Sequence, residues 1–146
     1  MPPSGLQLRP AREEDRAACA EIYRDARQAA FHWETRRYDL EEFAGSTYGE
    51  TLWVAEGANG EILAFASVWR APDYWFLHNL FVATESQKQG IGRALLVHVL
   101  AEIGRPVELK TDVPNRVARR LYEGFGFAVV EESQSLPVPW FRMRLE

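Results

Sequence analysis

Cysteine is almost absent from this sequence: its 146 residues contain one, Cys19. A single cysteine excludes an intrachain disulfide and a metal site built from several thiolates. Histidine is scarce as well, and the three histidines at positions 32, 78 and 98 share no spacing that is typical of metal ligands. We therefore expect no bound metal, and we expect Cys19 to be a packed residue of the first helix.

Long apolar runs and an excess of positive charge are also missing. No stretch approaches the length of a membrane span, and the first ten residues lack the apolar region of a signal peptide. The net charge is −4 and the pI is about 5.5, which argues against DNA or an anionic membrane as the main partner, because neutralising phosphates requires clustered Lys and Arg. These absences predict a cytoplasmic protein that binds neither nucleic acid nor membrane.

What is present is an ordinary globular composition, with 47% hydrophobic and 26% charged residues. The length predicts a single domain over residues 1–146, and the periodicity predicts an α/β fold with the order β-α-(α)-β-β-β-α-β-α-β-β. The segment GANG at 57–60 separates two runs of strand-forming residues and predicts an antiparallel hairpin. The predicted strands cover 6–10, 51–56, 61–69, 74–82, 107–111, 127–132 and 140–145, and the predicted helices cover 12–28, 39–44, 90–103 and 114–123.

The stretch SQKQGIGRALL, residues 86–96, places two glycines at the start of a predicted helix. The first amides of a helix have no partner within it and lie at the positive end of its dipole, and glycine has no Cβ to keep a ligand away from them. A strand, a glycine turn and a helix N-terminus together predict a phosphate-binding loop. Its pattern, QxxGxG, matches neither the P-loop nor the complete GxGxxG dinucleotide fingerprint.

This stretch resembles the first motif of the GNAT superfamily of N-acetyltransferases, in which a strand runs into Q/R-x-x-G-x-G/A and a helix. A second stretch, NRVARRLYEGFGF at 115–127, resembles the N-x-x-A-x-x-x-Y-x-x-x-G-F motif of the same family. The order of predicted elements is similar along essentially the whole chain. The resemblance implies a GNAT fold: a mixed central sheet of about seven strands, with splayed parallel fourth and fifth strands and flanking helices.

The activity that the resemblance implies is transfer of an acetyl group from acetyl-CoA to a primary amine of a small molecule or a peptide N-terminus, by direct attack in a ternary complex. The amides of residues 87–93 are expected to hold the pyrophosphate of coenzyme A, and the strand before them to pair with the pantetheine arm. The residues implied to bind the cofactor are Leu80, Phe81, Val82, Gln87, Lys88, Gln89, Gly90, Ile91, Gly92, Arg93, Asn115 and Tyr122. The resemblance further implies a homodimer through the strands at 127–145.

Two residues are candidates for proton transfer, Tyr122 and His78. The resemblance places Tyr122 beside the sulfur of coenzyme A, as a general acid. His78 lies four residues before Val82 on the same predicted strand, and an imidazole titrates near neutral pH, which suits a general base or a residue that positions a water. Each has a structural alternative: a core tyrosine bonded to the backbone, and a histidine hydrogen-bonded at a strand end.

Trp33 and Trp69 are predicted to line the acceptor pocket, where they would suit an aromatic amine or a cation. The carboxylates available to bind or deprotonate an amine are numerous and have solvated surface charge as their alternative; they include Glu34, Asp39, Glu41, Glu42 and Asp112. Polyamines, aminoglycosides, amino acids, arylalkylamines and protein N-termini all stay open as acceptors.

Two other functions are compatible with a glycine loop. One is a non-catalytic sensor or interaction module of the same fold that binds acyl-CoA, which has no use for Tyr122 and Asn115. The other is a nucleotide-binding domain, which the missing fingerprints disfavour.

Overall fold

The computed structural model describes residues 2–30 and 40–146, which form one seven-stranded sheet in the order β1-β2-β3-β4-β5-β7-β6. The strands are β1 (Gln7–Pro10), β2 (Thr51–Glu56), β3 (Ile62–Arg70), β4 (Trp75–Val82), β5 (Val107–Asp112), β6 (Ala128–Ser133) and β7 (Trp140–Leu145). The helices are α1 (Arg16–Ala30), α2 (Leu40–Ser46), α3 (Ile91–Ile103) and α4 (Arg116–Gly124). Within the described ranges β4 and β5 pair in parallel and the other neighbours pair antiparallel, so the predicted mixed α/β sheet is confirmed.

The hydrophobic core is divided between the two faces of the sheet. On one face Leu95 and Leu96 of α3 pack against Leu77 of β4, and on the other Cys19 of α1 packs near Phe65 of β3. Cys19 is fully buried, and burial raises the pKa of its thiol to about 12. It is therefore a packed core residue, as expected. A thiol that keeps its proton is also a poor nucleophile.

The helix predicted from residue 12 begins later than expected. Glu13–Asp15 form a short 3₁₀ turn, and α1 starts at Arg16. The reason is that Asp15 turns inward: its Oδ2 accepts hydrogen bonds from the backbone N–H of Arg12 and from Nη1 of Arg9, both at 2.7 Å. Arg9 also contacts Glu56 at 2.6 Å, so this buried cluster ties the turn to β1 and β2.

The prediction of Pro114 as a first-turn residue of α4 was also wrong. The helix begins at Arg116, and Asn115 caps it, because its Oδ1 accepts a hydrogen bond from the backbone N–H of Ala118 at 3.2 Å. Asparagine favours this position because its side chain replaces a missing helical partner.

Helices of membrane-spanning length and hydrophobicity are not found among the described residues.

Candidate active site

The glycine loop joins the end of β4 to α3. Ala94 N–H donates to Gly90 O at 3.0 Å, and the amides of Ile91, Gly92 and Arg93 precede this first bond of the helix. Gly90 has a left-handed φ of 78° and Lys88 a φ of 66°, and both residues are exposed. Left-handed residues alternating with extended ones turn successive N–H groups toward one concavity, which is a binding geometry for anions.

Two residues fix this loop to β4. A Cβ on Gly92 would lie 3.2 Å from Cγ2 of Val82, so the glycine allows α3 to pack closely on the strand. The side chain of Gln87 donates from Nε2 to Val82 O at 3.3 Å. This bond holds the loop to the strand, and Gln87 is otherwise exposed.

The parallel strands β4 and β5 separate after three paired positions, from Trp75↔Val107 to Leu77↔Leu109. Beyond this point β5 pairs only with β7, and β4 pairs only with β3. A cavity of about 120 Å³ opens between them; it is lined by Arg27, His78, Asn79, Leu80, Phe81, Lys110, Thr111, Asp112, Asn115, Ala118 and Tyr122. The gap therefore brings together both predicted proton-transfer residues and three of the predicted cofactor contacts.

Tyr122 lies on α4 with its ring edge-on to Phe127, at 5.7 Å between centroids. It is 8% exposed, and burial raises the pKa of its phenol, so the hydroxyl keeps its proton at neutral pH. Asn115 shares the cavity, but its Oδ1 caps α4, which leaves the Nδ2 amide as the group that it offers to a ligand.

His78 is the extra residue of a β-bulge. Ser67 pairs with Asn79 and Val68 pairs with Leu77, so no residue of β3 stands opposite His78. Bulges redirect a side chain and interrupt pairing. His78 lines the 120 Å³ cavity and also a larger cavity of about 620 Å³, which is lined by Tyr23, Arg27, Glu42, Gly45, Ser46, Phe76, His78, Asn79 and Lys110. It stands where the two cavities meet.

Glu50 is a site residue that the sequence reasoning missed. Its Oε2 lies 2.7 Å from Nδ1 of His78, and its side chain is 7% exposed. The two residues are 28 positions apart in sequence, so no spacing motif joins them. The register of the predicted β2–β3 hairpin places Thr51 opposite Val68, but the bulge that displaces His78 lies in the next pair, β3–β4, for which the sequence offers no signal.

The predicted acceptor residues are not brought together at His78. Trp69 lines a different cavity, of about 570 Å³, with Tyr48, Gly49, Glu50, Thr51, Arg70 and Trp75. Trp33 lies outside the described residues, as do Glu34 and Asp39. Of the other carboxylates considered, Glu42 lines the larger cavity at His78 and Asp112 the smaller one.

A metal centre finds no support in the described part of the chain, where no three His, Cys, Asp or Glu residues form a cluster. The ring of His98 lies 5.5 Å from that of Trp53, between centroids.

Solved structures of acetyltransferases share this fold. The ribosomal-protein-S18-alanine N-acetyltransferase of Escherichia coli matches with a TM-score of 0.78 and 23% identity, over 96% of this chain and 92% of that one. A protein from Salmonella typhimurium, solved with its cofactor acetyl-CoA, matches with a TM-score of 0.74 and 24% identity, over 98% of this chain and 94% of that one.

The sequence identifies the family. Residues 16–127 match the model of the acetyltransferase (GNAT) family. The [ribosomal protein bS18]-alanine N-acetyltransferase of Escherichia coli K12 is 35% identical over 107 residues, which are 68% of this chain and 72% of that protein. The chain belongs to the GNAT family of acetyltransferases, and the predicted family, fold and enzyme class are confirmed.

Proposed function

We propose that the chain is a single-domain N-acetyltransferase that moves an acetyl group from acetyl-CoA to a primary amine by direct attack in a ternary complex. The observation that carries this proposal is the cavity between the separated ends of β4 and β5, which His78 and Tyr122 line together. The glycine loop follows directly at the end of β4. One groove thus holds groups suited to both proton transfers of an aminolysis.

The residues of the loop and of β4 fit acetyl-CoA. The backbone amides of residues 87–93 would hold its diphosphate. Leu80–Val82 bond to β3 along one edge only, so their other edge has backbone groups to offer the pantetheine arm. The Nδ2 of Asn115 would contact the same arm. When bound, acetyl-CoA supplies the activated acetyl thioester.

His78 is the proposed base. The lone pair of its Nε2 takes a proton from the amine, directly or through one water, so that the nitrogen can attack. Tyr122 is the proposed acid: it holds a proton on Oη, and the raised pKa keeps that proton in place until negative charge develops beside it. Positioning both groups in one cavity adds the gain of proximity.

The acceptor that we favour is a peptide N-terminus, with small primary amines as the alternative. The support is the Escherichia coli relative, whose name gives an alanine of a ribosomal protein as its target. In the larger cavity beside His78 the carboxylate of Glu42 would attract the ammonium group, and Arg27 and Lys110 would donate to the carbonyl oxygens of the peptide that follows.

The test is release of free coenzyme A thiol from acetyl-CoA across a matched panel. The panel contains short peptides with free N-termini, the same peptides with blocked N-termini, and small amines. We expect release with free amines and none with blocked ones. Binding of coenzyme A in a calorimetric titration without release in any arm would instead support the sensor module and contradict the enzyme mechanism proposed here.

A further inference from the structure

We propose that Glu50 is a positioning residue for His78, holding the imidazole in the tautomer with its proton on Nδ1. The lone pair on Nε2 is then free to face the cavity. This inference rests on the proposed function in one respect only, the use of His78 as a base. The tautomer itself is a property of the protein alone.

The contact between the two side chains has the geometry of a strong hydrogen bond. Nδ1 and Oε2 are 2.7 Å apart, in the range of charge-assisted bonds. The other oxygen of Glu50, Oε1, is buried and has no hydrogen-bond partner among residues 2–30 and 40–146. An ionised carboxylate only accepts, so the shared proton belongs to Nδ1. Without the bond to His78 the buried carboxylate of Glu50 would be poorly solvated, which costs free energy.

Hydrogen bonds to the end of α2 hold the backbone of Glu50. Its backbone N–H donates to Thr47 O at 3.0 Å, and the Oγ1 of Thr47 donates to Phe43 O at 2.9 Å. Thr47 is 1% exposed, so this chain of bonds anchors the backbone from which the carboxylate projects to α2. A carboxylate held on a rigid support restricts the histidine more than a mobile one would.

The sheet explains how residues so distant in sequence meet. Thr51 pairs with Val68, and Val68 pairs with Leu77, so Glu50 and His78 each adjoin the same row of paired residues. Neighbouring strands lie about 4.8 Å apart, and the two side chains together can span the strand between them. The bulge places His78 out of step with that row and so allows its ring to lie toward Glu50.

A second histidine–glutamate pair in the chain shows what an ordinary contact looks like. His98 and Glu102 are one turn apart on α3, at 3.8 Å, and the side chain of Glu102 is 52% exposed. Such exposed pairs contribute little. Glu102 is therefore the matched control for Glu50.

Other charged groups share the surroundings of His78, namely Arg27 from α1, Glu42 from α2 and Lys110 from β5. They line the same cavity as the imidazole, whereas Glu50 bonds to the ring nitrogen itself. The substitution Glu50→Gln keeps the size of the side chain but replaces an acceptor-only carboxylate by an amide that can either accept from Nδ1–H or donate to Nδ1. The bias toward the Nδ1–H tautomer is then lost, and every molecule with the proton on Nε2 lacks the lone pair that a base needs.

The decisive measurement is nitrogen NMR of the protein labelled with ¹⁵N-histidine, at a pH where the imidazoles are neutral. The signals of His78 are assigned by their loss in His78→Gln. We expect a protonated Nδ1 and an unprotonated Nε2 in the unsubstituted protein, a shift toward protonated Nε2 in Glu50→Gln, and no change in Glu102→Gln. A protonated Nε2 in the unsubstituted protein would overturn the proposal, and this arm needs no variant to fold.

Kinetics form the second arm. We expect Glu50→Gln to lower kcat at least tenfold with KM for acetyl-CoA unchanged within about twofold, Glu50→Asp to restore part of the loss, and Glu102→Gln to match the unsubstituted enzyme. Equal kcat in a folded Glu50→Gln variant would also overturn the proposal. If the unsubstituted protein shows the Nδ1–H tautomer but transfers no acetyl group to any amine, the proposed function fails and the positioning of His78 by Glu50 stands.

Discussion

The two sides of the groove differ in the groups that form them: main-chain groups on one side and side chains on the other. On the proposed cofactor side, the loop amides, a left-handed Gly90 and a close-packed Gly92 make a concavity of main chain. On the acceptor side, His78 and Glu50 come from different strands or their ends and meet as side chains. The first arrangement depends on backbone conformation over a few consecutive residues. The second depends on the register of three strands.

This difference teaches where generic and particular chemistry reside in the molecule. A backbone cradle recognises a diphosphate whatever is attached to it, so it fits every acyl-CoA. In the proposed mechanism the paired side chains direct the proton that leaves the amine. The changes that follow separate binding from turnover, and they run from the largest expected effect on catalysis to the smallest.

The largest effect is expected from Tyr122→Phe. Removing Oη takes away the proposed acid and leaves the ring packed on Phe127, so kcat should fall about 10²- to 10⁴-fold while the affinity for coenzyme A stays within about twofold. Steady-state kinetics and calorimetry measure the two quantities. Tyr48→Phe, at a tyrosine that is 89% exposed, serves as the control. Unchanged kcat would remove Tyr122 from the mechanism.

The second effect falls on binding. Gly92→Val adds a branched side chain where even a Cβ would lie 3.2 Å from Val82, so it should push α3 from β4 and disturb the cradle. Losing one or two hydrogen bonds to a charged group costs about 3 kcal/mol, so the Kd for coenzyme A should rise about 100-fold.

The control for this change is Gly104→Ala at the other end of the same helix, where φ is 82° and no atom lies within 4 Å of an added Cβ. It should strain the backbone and leave the Kd unchanged. An equal loss of affinity in both variants would show that the loop acts through general stability and not as a cradle.

His78→Ala should have a smaller effect, about tenfold on kcat near neutral pH, because a water in the cavity can accept the proton less efficiently. The clearer sign is the pH–rate profile, whose acidic limb should flatten once the imidazole is gone. His98→Ala, at the histidine packed on Trp53, should keep that limb. A profile identical to that of the unsubstituted enzyme would exclude His78 as the base.

The smallest effect on either side of the groove is expected from Asp15→Asn. Breaking the buried pair with Arg9, which keeps Glu56 as a partner at 2.6 Å, should lower the free energy of unfolding by about 1.5 to 3 kcal/mol at pH 7, with kcat and the Kd for coenzyme A unchanged in the folded protein. Chemical denaturation measures the loss. A change in kcat would show that the cluster also supports the site.

The pH dependence of that loss has a definite sign. The hydrogen bond from Arg9 lowers the pKa of Asp15 below its usual 3.8, so the ion pair stabilises the fold above that pH and its contribution disappears as the pH falls through the lowered value. The stability of the two proteins should therefore converge below about pH 4. A constant difference down to strong acid would contradict the assignment.

Much of the fold was predictable because local sequence patterns determine it. The hairpin at GANG, the glycine loop and the second motif each depend on neighbours in sequence, and their strands lie within a residue or two of the predicted bounds. The helix starts at Arg16 and Arg116 were missed because side chains of Asp15 and Asn115 compete for backbone groups at those ends.

The acceptor side was less predictable because it depends on long-range register. Trp69 pairs with Phe76, and Phe76 still pairs with Glu108 of β5, so the tryptophan lies at the closed end of the parallel pair and away from the gap. Glu50 approaches His78 only because the sheet carries an extra residue in β4. Composition and short motifs contain neither piece of information.

The bulge also absorbs that extra residue without cost to the rest of the strand. Leu80 and Val82 pack beneath α3, whereas Phe81 packs beneath α1, and these residues keep the faces of their partners on β3 because only His78 is surplus to the pairing. Removing His78 would therefore restore regular alternation and spare the packing on both faces. The proposed base occupies a position that the sheet itself does not need, so the sequence there is free to answer to chemistry and not to folding.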